Sequence, residues 1–145
     1  MIAIDEFSVR LDGLKEFVIG DIDRIMVENN NFVEDLQRSQ LEVGKNIEEK
    51  TIQQGYSPGY AKRRQRKGLQ TKFVDLKFTG EFYKSLELTP IEKQGEFNII
   101  SFVDYYPYLI KRYPAIIGLS EKNLEKLKEL LVKSLNVSIK KYLLE

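Results

Sequence analysis

Leu124, Leu127, Leu131, Leu135, Ile139 and Tyr142 recur at three- and four-residue steps toward the end of the chain. That spacing follows the 3.6-residue turn of an α-helix and lines the side chains up on one stripe; a strand would send alternate residues to opposite faces. Ser120 stands in the N-cap position, and Leu119 and Leu124 occupy the two positions of a hydrophobic staple. A helix with such a stripe must lay it against something. The front of the chain carries a second stripe, Leu11, Leu14, Val18, Ile22, Ile25, Phe32 and Leu36, interrupted at Asn29-Asn30-Asn31. Asparagine competes for backbone hydrogen bonds inside a helix, so this region is expected to form two helices, or one helix kinked at the asparagines.

Between the helical ends the periodicity changes. Leu41–Gly55 reads as connecting backbone, with turn residues at Gly44-Lys45-Asn46 and Gly55 and a β-branched pair at Thr51-Ile52. After Ser85, "LELTPI" and "EFNIISFV" are strand-like and are separated by Glu92-Lys93-Gln94-Gly95, which predicts a β-hairpin over about 85–103. Pro90 cannot donate to a ladder and marks an edge strand. The second strand is apolar on both faces, with Phe97, Ile99 and Val103 alternating with Ile100 and Phe102, so it is expected to be covered on both, by helices or by another subunit. Residues 105–119 are rich in tyrosine, contain two prolines and read as an irregular packed connection. No repeat or linker divides the chain. The expectation is a single α+β domain, residues 1–145, with terminal amphipathic helices packed on a small antiparallel sheet.

The chain has no cysteine and no histidine. Disulfides, thiolate and imidazole metal sites, and the Ser-His-Asp and Cys-His arrangements are thereby excluded. No cofactor motif is present. The N-terminus lacks the basic start and apolar run of a signal peptide, and no segment approaches the ~18 apolar residues of a membrane helix, so a soluble, unprocessed protein is expected. Paired acids such as Asp21 and Asp23, Glu34 and Asp35, and Glu48 and Glu49 read as solvated helix faces.

Charge is unevenly placed. Residues 1–50 hold six Lys/Arg against twelve Asp/Glu, residues 51–84 hold eight against two, and the total is +1. The basic excess centres on "GYSPGYAKRRQRKG", where Lys62, Arg63, Arg64, Arg66 and Lys67 fill five of six positions. Ser57-Pro58 is an N-cap and first-turn signature, and Gly68 a stop, so the run is placed on a short helix around which the cations fan out. It can meet a nucleic acid, with Tyr56 and Tyr60 stacking on bases, an acidic protein surface, or solvent. Further on, Thr79 is placed to cap a helical turn through the N–H of Glu81 or Phe82, and Gly80 to let the chain turn tightly.

The order of these features resembles small bacteriophage neck and tail-completion (head-tail joining) proteins, in the variants found in Bacteroidetes phages. The resemblance rests on Thr79-Gly80-x-Phe82-Tyr83-x-Ser85 leading into a strand, similar to that group's Thr-Gly-x-Leu/Phe-x-x-Ser element, and on Gly118-Leu119-Ser120 before the last helix. It covers roughly residues 40–130. It implies a non-enzymatic virion protein, made in the host cytoplasm, that forms a homo-oligomeric ring at the head-tail junction around the DNA channel. Portal, other neck or tail proteins are the implied neighbours, with possible non-specific contact to channel DNA and none to membrane. The acidic and basic segments are then candidates for the two unlike patches of a head-to-tail contact. The alternatives are a nucleic-acid-binding module using residues 62–67 and, further off, a histidine-free ribonuclease of the toxin type using Arg64 and Tyr60.

Overall fold

The computed structural model describes residues 2–145 and has an α+β fold. Its helices are α1 (Ile4–Asp12), α2 (Leu14–Glu28), α3 (Asn30–Glu42), α4 (Pro58–Arg66), α5 (Glu81–Ser85), α6 (Tyr106–Arg112) and α7 (Glu121–Leu144). Strands β1 (Glu87–Pro90) and β2 (Phe97–Ile100) form one antiparallel hairpin, with Leu88 opposite Ile99 and Pro90 opposite Phe97.

The front stripe becomes three helices rather than two. The chain breaks at Asn29, as its composition requires, but Asn30 and Asn31 open α3. The unforeseen break is at Gly13, where a Cβ would lie 2.7 Å from the hydroxyl oxygen of Tyr142 on α7. Close approach of the two ends of the chain, not helix propensity, sets that boundary. Phe17 stacks on the same Tyr142 ring with centroids 4.1 Å apart, and Arg10 Nη1 donates to the Tyr142 carbonyl at 2.9 Å. Leu11 and Phe32 are exposed rather than in the core.

The core gathers Met26, Val33, Leu36 and Leu41 with Phe82, Tyr83 and Leu86, closed by Ile99, Ile116 and Leu127. A polar seam joins α3 to the segment before α7. Gln37 donates to the Ile116 carbonyl at 3.0 Å and accepts from the Gly118 N–H at 2.7 Å; Gln40 repeats this on the Gly118 carbonyl and the Ser120 N–H at 3.0 and 2.8 Å. Two glutamines one turn apart thus read an extended segment as a neighbouring strand would, and they satisfy its buried backbone. Ser120 caps α7 by accepting from the Asn123 N–H at 3.4 Å, as its position predicts. Leu124, on the apolar stripe of α7, is 51% exposed, whereas Leu127 is buried in the core.

The outer side of β1 is met by α3. Glu34 accepts from the Leu88 N–H at 3.1 Å, and Arg38 donates to the carbonyls of Tyr83 and Leu86 at 2.8 and 3.1 Å. Glu34 is therefore buried, and Asp21, paired with Arg24 on α2, is buried too; neither is solvated as its helical position suggested. The hairpin is shorter than its sequence range. Ile99 is buried but Ile100 only partly, and Phe102, beyond the strand, is 66% exposed, so the expected double cover of the second strand is not supplied by this chain. Residues 106–112, expected to be irregular, form α6 because Pro107 falls in the first turn, where its missing N–H costs nothing. Among the described residues no helix is long and apolar enough to cross a membrane.

Candidate functional site

The basic run does form a short helix, α4, begun by Pro58 at a first-turn position and followed by Gly68 at φ 72°. Ser57 caps it through its backbone only: its carbonyl accepts from the Ala61 N–H at 2.8 Å, and its side chain makes no cap bond. The five cations do not act alike. Arg64 is 1% exposed and points inward, so it is no surface for a subunit or for DNA. Its guanidinium donates to the Gln70 and Lys77 carbonyls at 2.9 and 3.0 Å and to both Asp75 oxygens at 3.1 and 3.3 Å, while lying 4.4 Å from the centroid of the Tyr56 ring.

Asp75 is the hub on the other side. Besides Arg64 it accepts from Gln70 Nε2 at 2.9 Å, from the Lys77 N–H at 2.9 Å and from the Tyr56 hydroxyl at 3.2 Å. The Tyr83 hydroxyl donates to its carbonyl. A buried ion pair is tolerated only when its remaining hydrogen-bonding capacity is met, and here the guanidinium's fork and the carboxylate's lone pairs are both engaged. The node fixes the segment from Leu69 to Phe78, which has no regular structure of its own. Burial next to the Asp75 carboxylate pushes the Tyr56 hydroxyl up to about 12, and burial raises that of Tyr83 further still. Both tyrosines stay neutral donors at ordinary pH.

Lys62, Arg63, Arg66 and Lys67 are exposed, and none forms a salt bridge among the described residues. Arg63 and Lys67 sit over the Phe78 ring, 4.9 and 4.8 Å from its centroid. Phe78 in turn packs on Tyr60, and Tyr60 on Tyr56, with centroids 5.7 and 5.2 Å apart. Tyr56, expected to be available for stacking on a base, is instead the lid of the Arg64 node.

This aromatic ladder forms one wall of a cleft of about 730 Å³ between α4, the Thr-Gly turn and α6. The opposite wall is Tyr105, Tyr108, Arg112 and Tyr113. Arg112 donates to the hydroxyls of Tyr113 and Tyr108 at 3.0 and 3.2 Å, which raises its already high pKa and holds the three side chains as one surface. The Thr-Gly element makes the end of the cleft. Thr79 accepts from the Glu81 N–H at 3.3 Å, as its position predicts, and Gly80 takes φ 89°, a left-handed conformation that glycine adopts without strain. Phe82 and Tyr83 are driven into the core, and the Ser85 hydroxyl bonds to the Phe82 carbonyl and to Ser101 Oγ, tying α5 to the chain beyond β2.

The α6 wall was not anticipated, although "YYPYLIKRYP" signalled it: six aromatic or basic side chains in one short segment, with Tyr108 and Arg112 one helical turn apart. Ring faces, phenolic donors and cations line the cleft; the acid at its edge is Glu81. No group of three or more metal-ligating acids occurs among the described residues. No protein-family model matches the chain, and no curated protein or solved structure shows significant similarity to it.

Proposed function

We propose that the chain is a structural subunit of the neck or tail-completion type, which assembles through unlike faces into a ring at the head-tail junction of a phage particle, around the DNA channel. The observation that carries this reading is its surface. The chain exposes 9746 Å², whereas a compact monomer of 17.0 kDa exposes about 7,700 Å² by the usual scaling of area with mass. The excess of about 2,000 Å² marks a chain less compact than a typical monomer of its mass, with elements standing out where neighbours can pack on them. Ile4, Val9, Val137 and Phe102 stand well out into solvent. The Thr79–Ser85 element supports the reading through its resemblance to that group. In this role the chain binds other neck, portal or tail proteins and carries out no chemistry.

Sedimentation velocity and light scattering over a range of protein concentrations test this. A defined ring-sized oligomer, visible as an annulus by electron microscopy, is expected; a chain that stays monomeric throughout overturns the reading. A second reading, a nucleic-acid-binding module, is favoured by the four exposed cations of the α4 run and by the exposed Tyr105 and Tyr108 across the cleft. Binding to DNA with a salt slope of several phosphates would select it instead. The ribonuclease reading loses Arg64, which is enclosed by its own loop.

A further inference from the structure

The cleft has a complementary surface elsewhere on the same chain. Helix α1 packs on α2 and α7, takes no part in lining the cleft, and buries none of its residues. Phe7 and Arg10 face inward, Arg10 reaching Tyr142. On the outward side, Ile4 and Leu11 lie two turns apart on one line, and Asp5 and Asp12 lie on the next line round. Ile4 is 86% exposed, and neither Asp5 nor Asp12 is in a salt bridge among the described residues. This is an acidic helix face with two apolar anchors and nothing to cover it.

We propose that the tyrosine-lined cleft receives this outward face of α1 from a second copy of the chain. Ile4 and Leu11 lie on the rings of Tyr105 and Tyr108, the latter 59% exposed. Asp12 meets Arg112, and Asp5 meets Arg63 or Lys67. A helix presenting anchors two turns apart to a hydrophobic groove with charged rims is a recurrent mode of recognition, and the cations beside the cleft complement the acids on the helix. The two surfaces are different parts of the subunit, so each copy uses one of each and the contact propagates head to tail until it closes. This inference rests on the ring reading above and assigns its interface.

The natural chain has no cysteine, so cross-linking is unambiguous. A D12C/Y108C double variant, oxidised at concentrations where the wild type associates, is expected to give a ladder of covalent multimers, while either single variant gives none. R112D and D12R should each raise the concentration for half-assembly by about tenfold or more, the scale of one lost charge contact, and the D12R/R112D pair should restore it. Oligomers that persist without a ladder, and without loss in R112D, overturn the cleft contact and leave the ring reading standing. A chain monomeric at every concentration overturns both. The chain has no tryptophan, so its emission comes from eight tyrosines, five of which line the cleft. Quenching by oligothymidylate that disappears in Y108A assigns the cleft to nucleic acid and also overturns the inference.

Discussion

Arg64 shows how one side chain in a run of cations can have a different task from its neighbours. Replacing it with methionine leaves Asp75 buried beside Tyr56 without its cation, and the expected loss is about 3–5 kcal/mol in urea unfolding. Arg66→Ala, two residues on and in no salt bridge or hydrogen bond among the described residues, should stay within about 0.5 kcal/mol. The sequence marks Arg64 only indirectly: Asp75 is one of just two acids between residues 51 and 84, and an isolated acid in a basic segment needs a partner. Which of five cations it takes depends on which one the helix turns inward, and that is set by packing the sequence does not display. Tyr56 gives the node a pH signature. Its folded pKa, raised from 10.0 to about 12, lies above the unfolded value, so its contribution to stability is complete below pH ~10 and is lost as pH rises toward ~12. Stability measured across that window should fall more steeply for the wild type than for Tyr56→Phe.

Among the elements, those with strong periodicity or a clear cap were legible: α7 with Ser120, the hairpin, the Thr79-Gly80 turn and α4 all lie where pattern and turn chemistry put them. The misreadings share a cause. Gly13, Glu34 and Leu124 each owe their setting to a distant contact, or to the lack of one, and local spacing is silent on both. The connection from Val43 to Tyr56 offers a direct measure of such a contact. Gly44 and Gly55 have nearly the same left-handed backbone, φ 70° and 73°, but a Cβ at Gly44 would lie 2.4 Å from the Phe73 ring, whereas Gly55 has nothing within 4 Å. Gly55→Ala should cost about 1–2 kcal/mol from backbone strain alone. Gly44→Ala should cost about 1–3 kcal/mol more, from overpacking against Phe73. The difference between the two midpoints in denaturant isolates the steric part.

For the whole molecule, the candidate site was half legible. Arg63 and Lys67, which stack on its Phe78 wall, and its Thr-Gly end stand out in the sequence, while its α6 wall lay in a segment read as irregular. The uneven charge visible in the sequence sharpens when native ion pairs are removed from the count. Arg24 is engaged by Asp21 and Glu28, and Arg38 by Asp35 and Glu34, whereas Lys62, Arg63, Arg66 and Lys67 form no salt bridge among the described residues. Assembly through such surfaces should weaken as salt approaches 1 M, where screening shortens the reach of charge to ~3 Å. Sedimentation at low and high salt checks this, and Arg63→Glu should mimic the high-salt result at low salt. The Arg64 node has one more consequence, for sequence drift. Surface loops ordinarily absorb insertions and deletions, but one guanidinium here bonds to residues 70, 75 and 77 at once. A residue gained or lost between Gly68 and Lys77 would put at least one of those partners out of reach. Among related chains this stretch is expected to be frozen in length even where its side chains vary, with changes in length falling instead at the exposed hairpin turn of Glu92, Lys93 and Gln94.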